Sequence, residues 1–181
     1  MTEIRLNIGC GNDIRPGYVN VDSAPLPGVD VVHDLNVMPL PFETGSVAEV
    51  VAKDVLEHVE LIPLMRELHR VMRPGARLWM SSPHFTSSSL WVDPTHVTGF
   101  SVETMGFFCT ETPFTTWPHY FEFKFARLES TKLVFHRYRG LPWNYAVEPW
   151  ANRSPARQRW FEGSPFGRIF PASNIEATLI R

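Results

Sequence analysis

Two glycines and three aspartates are the residues of this sequence whose types and positions first suggest chemistry. Gly9 and Gly11 close a short apolar run, and a glycine there lets the backbone approach a ligand where a β-carbon would intrude. Asp22, Asp34 and Asp54 each follow an apolar segment, so each falls at the carboxyl end of an expected strand, the edge at which open parallel sheets bind ligands. Asp22 suits the paired hydroxyls of a ribose, and Asp34 the amino group of an adenine. A second group follows at once. Asp54, Glu57 and His58 are spaced i, i+3, i+4, so one helical turn gathers them on one side, and His96 can join them from a later loop. Carboxylate and imidazole donors of this kind suit Mg, Mn, Fe or Zn. Without a metal, a hydrogen-bonded Glu57–His58 pair bracing a helix start accounts for the same residues.

The elements that must position these groups are legible in the apolar pattern. Ile4 to Ile8, Val19 to Val21, Val29 to Val32 and Val47 to Ala52 read as buried strands, and Arg77 to Ser81 as a fifth. Pro63 opens a helix on which Leu64, Met65, Leu68, Val71 and Met72 recur at helical spacing until Arg73-Pro74-Gly75 ends it. Ser101 caps a short helix through Phe108, Phe123 to His136 is a bent or bulged strand, and Ile175 to Ile180 is the last strand. Trp143 to Phe170, rich in Pro, Arg and aromatics, is expected to form a helical flap across the sheet edge. Alternating strands and helices up to residue 81 argue for an α/β sheet covered on both faces. The 181 residues read as one domain, a ligand-binding half over 1–84 and an acceptor-covering half over 85–181.

Bulk properties narrow the classes. No apolar run is long enough for a membrane span and the first residues lack a signal pattern, so a cytoplasmic protein without a membrane partner is expected. Cys10 and Cys109 match no metal or redox spacing. The net charge of −2 conceals an asymmetry, since ten Lys/Arg against four acids lie from Lys124 onward. A basic C-terminal third suits an anionic small or medium acceptor, while the absence of an RNA-binding module disfavours nucleic acid. Trp91, Phe100, Phe107, Phe108, Phe114, Trp117, Tyr120 and Phe121 crowd the segment after the fifth strand, where they suit either a flat apolar acceptor or ordinary packing. Exposed aromatics on so small a chain also suit a homodimer.

A dinucleotide enzyme is the rival for the glycine turn, but Ile14 stands where its third glycine belongs. Asp22 follows Gly9 by thirteen residues instead of about twenty. The ordered series Leu6-Asn7-Ile8-Gly9-Cys10-Gly11, Tyr18-Val19-Asn20-Val21-Asp22, Asp34-Leu35 before Leu40-Pro41-Phe42, Leu56-Glu57-His58-Val59, and Glu67 through Gly75 instead resembles the class I S-adenosylmethionine-dependent methyltransferases, particularly compact bacterial type 11 members.

The resemblance implies a Rossmann-like, mostly parallel sheet with helices on both faces and an antiparallel last strand. It also implies S-adenosylmethionine contacts from Asn7, Gly9, Cys10, Gly11, Asp22, Ser23, Asp34, Leu35 and Asp54. Only Asn12 to Tyr18 separate Gly11 from Val19, and with Pro16 and Gly17 among them the first crossover helix is expected to shrink to one turn at most. Candidates for handling a proton of the acceptor are His58, His84, His96, Asp54, Glu57 and Asp93, with Asp54, His58 and His96 foremost. The set Asp54, Glu57, His58 and His96 further resembles the metal site of small-RNA terminal 2′-O-methyltransferases and ubiquinone-pathway O-methyltransferases, which implies Mg or Mn. Methyl transfer to an O or N nucleophile is therefore expected. A catalytically silent S-adenosylmethionine-binding partner or sensor and a metal-assisted RNA 2′-O-methyltransferase are the alternatives.

Overall fold

A computed structural model of the chain describes residues 3–114 and 121–181, so Trp117 and Tyr120 lie outside the described residues. Its centre is an eight-stranded mixed sheet in the order β3-β2-β1-β4-β5-β8-β7-β6. The strands are β1 (Ile4–Ile8), β2 (Val19–Asp22), β3 (Val31–Val32), β4 (Val47–Lys53), β5 (Met72–Pro83), β6 (Cys109–Glu111), β7 (Phe125–Val134) and β8 (Asn174–Ile180). The first five run parallel. The last, β8, inserts antiparallel between β5 and β7, as expected of the final strand. A register irregularity between Leu128 and Ser130 supplies the bulge anticipated in β7. β6 was not anticipated; three residues, Cys-Thr-Glu, with one buried side chain give no alternation to read.

Among the described residues five helices join these strands: α1 (Leu61–Val71), α2 (Ser88–Val92), α3 (Asn144–Ala151), α4 (Pro155–Gly163) and α5 (Phe166–Ile169). Leu56–His58 and Thr104–Phe108 form 3₁₀ turns, the second in place of the short helix after Ser101. α1 starts two residues before Pro63, which sits in its first turn where no N–H partner is missed. It ends at Val71 because Pro74 disfavours helical geometry at Arg73. The buried Leu64, Met65 and Leu68 of α1 share one apolar core with Leu6 and Ile8 of β1, Val50 and Ala52 of β4, and Leu78 and Met80 of β5. Glu67, also on α1, accepts the Leu40 N–H at 2.9 Å, while Arg70 donates to Glu67 and to the carbonyls of Leu40 and Phe42. This clamp holds the loop after β3 against the core.

The links from β1 through β4 contain no helix, within the limit of one turn expected between β1 and β2. Side-chain amides substitute for the missing bonds. Asn20 Oδ1 accepts from Asn7 Nδ2 at 3.0 Å and from the Arg15 N–H at 2.9 Å, and Asp30 accepts the Asn20 N–H at 2.8 Å. Over this half, helical cover among the described residues comes from α1. On the other face Arg5, Glu49, Arg77 and Trp79 stay partly exposed, and Arg5–Glu49 and Arg77–Glu129 pair across strands. The expected flap is present as α3, α4 and α5. Asn152 and Gln158 anchor it to β7, bonding the backbone of Leu133 and Thr131.

Candidate functional site

The carboxyl ends of β1, β2 and β4 open into a crevice of about 340 Å³, walled in part by Gly9, Asp22, Asp34, Asp54, Val55 and His58, with Ser23 and Leu35 also on its lining. Gly9 has φ +60°, and a β-carbon there would stand 2.1 Å from Val55 Cγ2, so only glycine lets β1 turn this close to the residue after Asp54. Gly11, at φ +48°, donates its N–H to Asp22 Oδ2 at 2.7 Å, and Ala24 donates to Oδ1 at 2.9 Å. The Asp22 carboxylate is thereby fixed in orientation, and each oxygen keeps a lone pair for a ligand. Asp34 is held by the N–H of Asn36 at 2.9 Å. Asp54 adopts φ +51°, a left-handed conformation that Asp tolerates better than most residues, and accepts from Asn174 Nδ2 at 3.1 Å.

Three expected contacts, Asn7, Cys10 and Gly11, lie outside this lining, the Gly11 N–H being spent on Asp22. Asn7 is buried in the amide brace under the β1–β2 link, and Cys10 is buried with its N–H on the Val21 carbonyl; neither is part of the crevice lining. Burial, and then the Asp22 charge, push the Cys10 thiol above its ordinary value, so it is an inert packing group. Sequence reasoning missed Asn36, Val55 and Val59, which also line the crevice. Their signal was adjacency to Asp34, Asp54 and His58, which a search for acids and glycines passes over.

Beside the crevice Glu57, His58 and His96 converge, each offering one ligand atom within 4.8 Å of the others. Asp54 is outside this cluster and belongs with the crevice, because the 3₁₀ turn at Leu56–His58 replaces the α-helical turn that would have aligned it with Glu57. The imidazole tautomers follow from their partners. Thr95 Oγ1 gives its single proton to Asp93 Oδ1 at 2.7 Å, so it accepts from His58 Nδ1 at 2.8 Å and leaves His58 Nε2 with a free lone pair. His96 Nδ1 likewise donates to the Leu90 carbonyl at 2.8 Å. The rings meet edge to face with centroids 4.5 Å apart. Glu57 is 1% exposed; its Oε2 accepts from Ser82 Oγ at 2.8 Å, and its Oε1 is a buried oxygen with no partner. Burial pushes the Glu57 carboxyl above its ordinary value. The Thr95 hydrogen bonds hold Asp93 below its own.

The imidazole pair stands between two spaces. His58 faces the crevice, and His96 lines a second, largely apolar pocket of about 180 Å³ with Phe85, Leu90, Trp91 and Val97. The Glu57 carbonyl accepts from the N–H of Val97 at 2.7 Å, which fixes the second pocket's wall to the first. His84 is not part of this arrangement. It is fully buried and bonds Glu162 Oε1 at 2.8 Å and Thr86 Oγ1 at 2.7 Å, tying β5 to α4.

Residues 6–80 match a family profile described as a methyltransferase domain. No curated protein sequence matches the chain significantly. Among solved structures the chain is similar to a S-adenosylmethionine-dependent methyltransferase from Archaeoglobus fulgidus, at 16% identity and TM-score 0.61, over 99% of this chain and 86% of that one. A S-adenosylmethionine-dependent methyltransferase from Mesorhizobium loti aligns at 12% identity and TM-score 0.57, over 98% and 90%. Geranyl diphosphate C-methyltransferase from Streptomyces coelicolor A3(2), solved with S-adenosyl-L-homocysteine, aligns at 12% identity and TM-score 0.60, over 99% and 69%.

Proposed function

We propose that the chain binds S-adenosylmethionine in the crevice of Gly9, Asp22 and Asp34 and methylates an O or N nucleophile held beside His96; the match of residues 6–80 to a methyltransferase-domain profile and the fold shared with S-adenosylmethionine-dependent methyltransferases support this reading. The observation that carries this reading is the position of the imidazole pair, shared between a polar crevice and an apolar pocket. The crevice fits a nucleoside cofactor. Its glycine has no room for a β-carbon, and its two preoriented carboxylates are available to a ribose and an adenine.

The bound sulfonium supplies an electrophilic methyl carbon. The chain's part is alignment and proton handling. Asp22 and Asp34 fix the nucleoside, Phe85, Leu90 and Trp91 hold the acceptor, and His58 through Nε2, or His96, whose Nε2 lies 3.9 Å from Asp93 Oδ2, takes the proton a hydroxyl or amine loses on attack. Substitution of His58 or His96 by Ala is expected to lower turnover about 10²–10⁴-fold while S-adenosylhomocysteine binding persists. Unchanged turnover in both would remove the base from the account and favour a binding or sensing role.

A divalent-cation site is the second reading, favoured by a Glu57 carboxylate with one unpartnered buried oxygen standing beside the His58 and His96 imidazoles. Glu57, His58 and His96 would hold the ion, which would lower the pKa of an acceptor hydroxyl. Two imidazoles and one carboxylate suit Mn, Fe or Zn better than Mg. Thermal-shift titration with each metal after chelation tests it: stabilisation lost in Glu57→Gln supports the site, and no stabilisation by any metal removes it together with the metal-assisted RNA alternative.

A further inference from the structure

The flap from 137 to 170 has a surface that the methyl-transfer reading does not use. Trp143, Trp150, Trp160, Phe166 and Ile169 are all solvent-exposed, Ile169 by 63% and Trp160 by 51%. The rings form one cluster, with Trp150–Trp160 centroids 5.7 Å apart, Trp160–Phe166 5.5 Å and Phe166–Phe170 6.1 Å. Ala146, Val147, Trp150, Phe166 and Phe170 line an open groove of about 330 Å³.

The charges carried by the flap are predominantly positive, although Arg159 is paired with Glu103 outside it. Six arginines and two glutamates lie between 137 and 170. Both glutamates are buried and used internally, Glu148 by Arg137 and the Phe135 N–H, Glu162 by His84 and the Val102 N–H. Arg139, Arg153 and Arg168 are exposed, and Arg157 lies 5.1 Å over the Trp150 ring. Short helices that present Trp, Phe and Ile among arginines, with no exposed acid, have the composition of a bilayer-interface element.

We propose that α3, α4 and α5 dock this protein on an anionic lipid surface, with the aromatic cluster at headgroup depth, an acyl chain in the groove and the arginines on lipid phosphates. The arginine distribution disfavours a second copy, because a two-fold contact through this face would set arginines against their own copies. The groove disfavours nucleic acid: only the Trp150 indole among its walls offers a side-chain hydrogen-bonding group, and Trp150 meets Trp160 at 81° rather than leaving parallel faces for base stacking. No helix among the described residues is long and apolar enough to cross a membrane, so the contact is peripheral. The surface adjoins the second pocket, since Arg168 lies 5.1 Å over Phe85, which lines it.

The test is co-sedimentation of the full chain with phosphatidylcholine vesicles, with and without phosphatidylglycerol. Binding is expected to be about ten-fold or more stronger with the anionic lipid. It should weaken in Trp160→Ser/Phe166→Ser and in Arg153→Glu/Arg157→Glu, while all variants keep the S-adenosylhomocysteine thermal shift. Equal pelleting with both vesicles, no pelleting, or unchanged pelleting of either double variant overturns the proposal. So does a homodimer that the aromatic variant dissociates, or RNA retention that the arginine variant abolishes. Vesicle binding does not depend on cofactor binding, so the failure of this proposal and the failure of the methyl-transfer reading are separately visible.

Discussion

Replacing Gly9 and Gly11 by alanine, one at a time, separates backbone strain from close approach at the cofactor turn. Both glycines have left-handed φ, +60° and +48°, where an alanine costs about 1–2 kcal/mol. At Gly11 nothing lies within 4 Å of the added β-carbon, so that is the whole expected cost. At Gly9 the β-carbon would be 2.1 Å from Val55 Cγ2 and 2.5 Å from Val55 Cβ. Valine is stiff about χ1 and cannot swing clear, so an overpacking cost of about 1–3 kcal/mol adds to the strain, for a total of about 2–5 kcal/mol. Urea denaturation of the two variants reads the difference directly. The double variant Gly9→Ala/Val55→Gly, which removes both Cγ2 and Cβ, should recover the overpacking part as a coupling of about 1–3 kcal/mol. Val55 also lines the crevice, so Gly9→Ala should weaken S-adenosylhomocysteine more than Gly11→Ala does. Equal stability losses for the two single variants, with additive behaviour at Val55, would refute the reasoning.

Asp22→Ala should lower S-adenosylhomocysteine affinity about 10–100-fold by calorimetry, the loss of a charge-assisted hydrogen bond. Glu57→Gln, in chelator, should gain stability over the parent as pH rises. The folded Glu57 pKa is raised by burial, so its protonated form stabilises the fold below the ordinary carboxylate value and that contribution is lost on titrating upward through the shifted one. Denaturation at pH 4 and pH 8 checks the sign, and a constant difference speaks against a buried ionised Glu57. Glu67→Ala should cost about 2–3 kcal/mol at neutral pH, as the Leu40 N–H loses its acceptor. Arg70 hydrogen bonding holds Glu67 below its ordinary value, so this contribution is present above that value and should fade on acidification through the lowered pKa.

The parts legible in the sequence were those with a periodic or positional signal. Apolar runs ending in Gly9, Asp22 and Asp54 located β1, β2 and β4, and helical spacing after Pro63 located α1. The antiparallel position of β8 came from family resemblance, because strand direction leaves no mark on apolar alternation. The crossover between β1 and β2 was expected to be short, but its replacement was not legible. The brace joins Asn7, Arg15, Asn20 and Asp30, far enough apart that only the folded chain brings them together. Asp54 illustrates the same limit: a residue in left-handed conformation before a 3₁₀ turn does not keep i, i+4 company with His58. Thr95 carries no signal of its own, yet it fixes the His58 tautomer.

The most direct measurement of the central claim is a crystal structure of the chain with S-adenosylhomocysteine. The account predicts ribose hydroxyls on the Asp22 carboxylate, the adenine beside Asp34 and Leu35, and the sulfur turned toward His58. A ligand bound elsewhere, or a nucleoside whose ribose does not touch Asp22, would contradict it.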